Sequence, residues 1–205
     1  MGKITTWLEA ILHRVRGTLS IVAVLVVVFL LEVVVQTAAG YESVQAALNA
    51  PGTGVKTLLG VVGGPYLHQS AERLIGNLGV ILLTASYVES RAGDIRLYQF
   101  YVATGFLGAV AAAATQLPGA VGASGAAYGF TGWMLIQGTA TLGGVYETHK
   151  PWMQPLHALP VLYASVKIYS GIQPLLLGVA HPGDVAHVTG ACIGMLYGAV
   201  RIYRA

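Results

Sequence analysis

A serine hydroxyl is a poor nucleophile until a base takes its proton, and a neutral imidazole is the usual base. Two short strings in this sequence offer that pair. Ser124 stands in Gly122-Ala123-Ser124-Gly125, and His187 stands in Ala186-His187-Val188-Thr189-Gly190. Together they would perform acyl transfer: attack on a carbonyl, formation of an acyl-enzyme and its hydrolysis, with no cofactor required. Each string alone is a weak signal, because Gly, Ala and Ser crowd any apolar helix. What gives the pair weight is relative position, and that depends on the elements that carry it.

Those elements follow from composition. Of 205 residues, 55% are hydrophobic and 9% are charged, against about 25% charged in a soluble domain. The mean hydropathy is +0.68. Such a chain cannot cover a water-facing surface, which argues against a soluble enzyme, a nucleic-acid reader and a disordered regulator. A transmembrane helix needs ~20 mostly apolar residues. Apolar runs bounded by charge, Gly or Pro fall at about 19–39, 70–88, 97–116, 122–143, 155–169 and 184–203. They predict an all-α membrane protein of six spanning helices, with residues 1–18 as a cytoplasmic N-terminal segment and 19–205 as one membrane domain. The long first connection, about 40–67, is Gly/Pro-rich and partly apolar, and is expected to lie against the membrane surface.

Lys and Arg orient the bundle. With the N-terminus inside, the inner side receives Lys3, Arg14, Arg16, Arg91, Arg96, Lys150, Arg201 and Arg204, and the outer side Lys56, Arg73 and Lys167. That asymmetry obeys the positive-inside rule, with both termini cytoplasmic. A signal peptide over 1–39 is the rival reading of the first run; Glu32 interrupts its apolar core, and the run continues past it. The fourth and sixth runs then both enter from the outer face. Ser124 and His187 lie a few residues into them, roughly 5–10 Å below that surface at 1.5 Å per residue. Both sit on glycine faces: Gly122, Gly125, Gly129 and Gly132 in one helix, Gly190, Gly194 and Gly198 in the other. Small residues so spaced let membrane helices approach closely, so Gly122, Gly125, Gly190 and Gly194 are the expected packing points.

With these residues in view, the chain resembles the rhomboid intramembrane serine proteases over about residues 15–203. The GxSG string at 122–125 and the AHxxG string at 186–190 match the family's motifs, and Tyr128 stands where the family has an aromatic that packs on the catalytic histidine. His68, Arg73 and Asn77 fall on the family's HxxxxHxxxN pattern, and Glu89 to Gly93 resembles its VExxxG. The resemblance implies a rhomboid-like six-helix bundle and a catalytic dyad of Ser124 and His187. It also implies an oxyanion site served by Asn77 and the Ser124 backbone N–H, a structural or water-holding role for His68, and lateral substrate entry past the fifth helix. The implied substrates are transmembrane segments of other proteins, cut near the outer face.

One departure stands out: Arg73 replaces the pattern's second histidine. It could donate to the oxyanion through its guanidinium, or pair with Glu32, since intramembrane charges usually find partners. The rival functions are an impaired rhomboid-like protein that binds membrane segments without cutting them, and a small transporter. Asp184, one turn before His187, reads as an exposed helix N-cap or a third triad member. His149, His157 and His181 read as solvated or interfacial, Lys167 as snorkelling outward, and Cys192 as packing. No cluster has metal-ligand spacing. The expected partners are transmembrane substrates and the lipid bilayer, in a prokaryotic plasma membrane.

Overall fold

A computed structural model of the protein describes residues 9, 12–40, 60–92, 94–115, 122–144 and 154–203, with only the backbone of 91, 92, 94, 95 and 154–157. Lys3, Lys56, Gly93, His149, Lys150 and Arg204, most of the first connection and the side chain of His157 lie outside that set. The long helices are α1 (Arg16–Ala39), α2 (Ala71–Ala92), α3 (Asp94–Ala114), α4 (Ser124–Leu142), α5 (Gln154–Leu176) and α6 (Pro182–Tyr203), with a 3₁₀ turn at Gly64–Tyr66 before α2. No strand occurs among the described residues. The protein is an all-helical bundle, and apolar helices are what a bilayer requires of a chain that must satisfy its own backbone. By length and hydropathy α1, the Arg96–Ala114 part of α3, and α6 can cross a membrane. The other three carry more polar residues or glycine, and α4 is enclosed by protein: every residue from Gly125 to Met134 is buried.

α4 is the hub. It packs on α2, α3, α5 and most extensively on α6, while α1 lies outside against α2 and α3. Phe100, Phe130, Trp133 and Tyr197 form the aromatic heart where α3, α4 and α6 meet, with ring centroids 4.6–5.3 Å apart.

Several boundaries differ from the sequence reading, each for a physical reason. α1 begins at Arg16 because the buried Glu89 carboxylate caps it, accepting the Gly17 and Thr18 N–H groups at 2.6 and 2.8 Å and the Thr18 hydroxyl at 2.7 Å. Helix starts leave such donors free. A side chain at position 17 would meet that carboxylate at 2.8 Å. α5 is longer than the expected run of 155–169: it continues through Gly171 and Pro174 to Leu176. It stops in a Schellman turn, with Gly178 at φ +71, its N–H donating to Leu175 O and the Val179 N–H to Pro174 O. Cys192 is exposed on the outer side of α6 and does not pack in the bundle.

The turn at Gly64–Tyr66 is pinned above α3 and beside the start of α4. Tyr101 donates its hydroxyl to Pro65 O at 2.6 Å, and the Gly122 N–H donates to Gly64 O at 2.7 Å. Gly105 of α3 admits the Pro65 ring, which would lie 2.9 Å from a Cβ there.

Candidate active site

Ser124 is the first residue of α4, and the first helical hydrogen bond runs from the Ala127 N–H to Ala123 O at 2.9 Å. The Ser124 N–H therefore has no acceptor in its own helix and faces the helix's positive end. His187 lies in the second turn of α6, at the same end of the bundle. Both line one cavity of about 710 Å³, together with Asn77, Arg73, Tyr128 and Lys167. Among the described residues no hydrogen bond joins Ser124 to His187, and His187 Nδ1 is buried without a partner.

The imidazole is held by stacking. Tyr128 lies against it with ring centroids 4.2 Å apart and planes 10° from parallel. Asp184 Oδ1 stands 3.8 Å from His187 Nδ1, too far for a hydrogen bond. Its other oxygen accepts the His181 N–H at 2.8 Å, so the carboxylate reaches back to cap its own helix as in a capping box. Asp184 is half-buried, unlike the exposed cap expected from the sequence.

The seam beneath the pair is backbone on backbone. A Cβ at Gly190 would overlap the Gly125 carbonyl oxygen and come within 3.2 Å of the Gly129 nitrogen; one at Gly194 would overlap the Gly129 carbonyl oxygen. Gly132 meets Ala191 in the same way. Gly122 does something else: it precedes α4 with φ +135, a conformation that favours glycine, below Asn77 Nδ2 and His68. It is a turn residue, not a helix-packing one.

His68 and Asn77 form a directed chain. His68 Nδ1 lies 3.2 Å from Tyr66 O, so it carries the proton and donates. Nε2 is then the acceptor, and Asn77 Nδ2 donates to it at 3.0 Å. That bond turns the Asn77 amide nitrogen toward His68 and leaves its second N–H for the cavity wall, which Asn77 lines. Burial lowers the His68 pKa below its ordinary value, outweighing the bond to Tyr66, and favours this neutral form.

Glu32 does not pair with Arg73. Its carboxylate accepts the His68 backbone N–H, at 2.9 Å through Oε2, because the segment before α2 presents that donor directly to α1. Arg73 is exposed on the cavity rim and has no ion-pair partner among the described residues. Lys167 does not snorkel outward: it is half-buried, with its ammonium 5.6 Å from the Tyr128 ring centroid, and it lines the same cavity. His181 is exposed on the cavity rim.

Sequence reasoning missed three supports. On α3, Gly105 and Gly108 admit Pro65 and the Gly125–Ala186 contact; the small-residue test applied to the fourth and sixth runs would have found them in the third. Gly171 of α5 lies against the Tyr128 ring, where a Cβ would meet Cε1 at 2.5 Å. Glu32 was legible as a charge in an apolar run, but its backbone partner was not. The family model for the Rhomboid domain matches residues 55–204. No curated protein matches the chain.

Proposed function

Because this chain belongs to the rhomboid family, whose members are generally intramembrane serine proteases, we propose that it is a serine endopeptidase cutting transmembrane segments of other proteins near the outer membrane face. The observation that carries this reading is one cavity lined by Ser124, by a His187 stacked on Tyr128, and by Asn77. In the proposed mechanism His187 Nε2 takes the Ser124 proton as Oγ attacks the scissile carbonyl. The oxyanion accepts hydrogen bonds from the Ser124 N–H, the free Asn77 N–H and the Arg73 guanidinium. His187 returns the proton to the leaving amine, and water repeats the steps on the acyl-enzyme. Losing one oxyanion donor typically costs about 10²–10³ in rate. No cofactor enters.

The same proposal makes it a multi-pass protein of a prokaryotic plasma membrane, with six spans, residues 1–18 and both termini cytoplasmic, and an outward-opening site. Substrate must unwind to expose its carbonyls, so helix-weakening Gly or Pro near the cut is favoured. A second reading is supported by Arg73 and by the unbonded Ser124 and His187: a rhomboid-like protein that holds membrane segments without cutting them. The experiment is fluorophosphonate labelling and cleavage of a transmembrane reporter by the purified protein in liposomes. A protease labels and cuts, and Ser124→Ala and His187→Ala each abolish cleavage while still inserting. Full activity in Ser124→Ala overturns the mechanism; capture of the reporter without cleavage favours the second reading.

A further inference from the structure

Lys167 is the cation of the cavity lining that this mechanism leaves unused. The stretch from Lys167 to the end of α5 is roughly 13 Å long at 1.5 Å per residue, so the residue is well inside the helix. Its ammonium and the His187 imidazole both stand against Tyr128, at 5.6 and 4.2 Å from the ring centroid. Tyr128 offers a cation–π contact, but no carboxylate pairs with Lys167 among the described residues. The cavity's own carboxylate, Asp184, is turned to the His181 N–H and to His187. Arg73 adds a second cation to the cavity rim, from α2. A cation within a membrane helix bundle ordinarily marks a functional site and has a partner; here none of the described residues supplies an anionic one.

We infer that Lys167 is a specificity determinant that receives an acidic side chain of the substrate, so that the preferred substrates carry Asp or Glu within about three residues of the cleaved bond. An extended chain advances ~3.3–3.6 Å per residue. A carboxylate reaching an ammonium that shares Tyr128 with His187 therefore belongs to a residue close to the scissile carbonyl. A lipid phosphate is the other candidate anion, but its headgroup stays at the membrane surface, whereas this ammonium lines the cavity that takes the peptide. The inference rests on the protease reading above and names its substrate class.

The test uses a transmembrane reporter with Asp, Asn or Lys at one position beside the cut, in phosphatidylcholine liposomes. The Asp reporter is expected to exceed the Asn reporter in kcat/KM by about tenfold or more, as close charge pairs do at interfaces. The Asp-to-Asn ratio should fall toward one in Lys167→Gln, persist in Lys167→Arg and invert in favour of the Lys reporter in Lys167→Glu. Because the readout is a ratio, a general loss of folding or rate does not imitate it. Equal cleavage of Asp and Asn reporters by the unaltered protein overturns the inference, as does a ratio that survives in Lys167→Gln. So does an effect of Lys167 that emerges only when phosphatidylglycerol is added, which would assign the cation to lipid. Cleavage of the Asn reporter and fluorophosphonate labelling report the protease reading separately. Should both be absent, affinity of Ser124→Ala for the Asp and Asn reporters decides, and equal affinity overturns the inference.

Discussion

Two regions border the cavity and are built in opposite ways. On the α4–α6 side, glycine meets backbone: a Cβ at Gly190 or Gly194 would overlap a main-chain carbonyl of the facing helix. On the α5 side, glycine meets side chains: Gly138 lies against Val161 Cγ2, and Gly171 against the Tyr128 ring. The clashes that a methyl would cause are deeper at the seam, and their consequences differ further. A helix backbone cannot yield without moving its helix, whereas a side-chain end can rotate. The seam therefore fixes the relation of Ser124 to His187, and the α5 side can adjust, as the entry past the fifth helix implied by the family resemblance would require.

The most damaging way to break this contrast is at the seam. Gly190→Ala or Gly194→Ala should lower kcat/KM by ~10² or more, since a displacement near 1 Å can cost that much. Overpacking of this kind also costs about 3 kcal/mol of stability, visible as a fall in Tm. Leu at either position should do no less. Wild-type rates in both Ala variants would mean that the two helices are free to separate, and the distinction between the regions would disappear.

On the α5 side the same substitution should do less. Gly171→Ala puts a methyl 2.5 Å from Tyr128 Cε1 and 3.0 Å from Cζ, and Tyr128 transmits any push to the imidazole stacked on it. The ring and α5 can both shift, so the expected loss in kcat/KM is about tenfold, short of the ~10² that a full 1 Å misplacement brings. In a Tyr128→Ala background the added methyl should cost almost nothing further, because coupling is confined to residues in contact. A Gly171→Ala effect that persists there would have to come from elsewhere.

How much of this was legible in the sequence varies by kind of contact. Ser124, His187, Tyr128 and Asn77 stood in strings whose spacing could be read, and the glycines of the fourth and sixth runs announced a close approach. The seam is a local pattern repeated on two helices, which is why it could be read. Lys167 and Glu32 were visible as charges but not as to partner. The first points at a ring on another helix, and the second at a main-chain N–H in an irregular segment. Neither contact leaves a spacing in the chain. The expected fifth run ends at 169, ahead of Gly171 and Pro174, because proline usually ends a helix; α5 continues to Leu176, since in a bilayer stopping early would leave more backbone unsatisfied than continuing does.

A third contrast sharpens the picture, between a seam that holds without ionisable groups and a loop anchored by one. Protonating His68 would place a second N–H at Nε2, facing the Asn77 amide that now donates to it. Buried His68 binds a proton less readily than the unfolded chain does. The stability held by its neutral form is thus fully present above the ordinary histidine value of 6.5 and is lost as pH falls below it. Tm of the unaltered protein should drop between pH 7.5 and 5.5, and the drop should be smaller in His68→Gln. An equal drop in both would assign the pH dependence to other groups.

The smallest effect is expected where spacing alone would forecast a large one. Gly76 and Gly79 in α2 are separated like Gly122 and Gly125, or Gly129 and Gly132, in the fourth run. Their spacing is the same as that of the seam glycines. In the fold a Cβ at Gly79 meets nothing within 4 Å, and the position is exposed on the outer face of α2. Gly79→Ala should leave kcat/KM unchanged within about twofold and should not lower Tm, since surface changes away from special features stay within about 0.5 kcal/mol. A modest gain is the more natural direction, because Ala is favoured over Gly in a helix by about 0.8–1.0 kcal/mol. Measured beside Gly190→Ala, it separates two causes of glycine spacing that the sequence cannot tell apart: close approach of another backbone, and a helix face that nothing in the described fold touches. If Gly79→Ala were instead as harmful as Gly190→Ala, a partner would have to cover that face of α2, and α2 would depend on the absence of a side chain as the seam does.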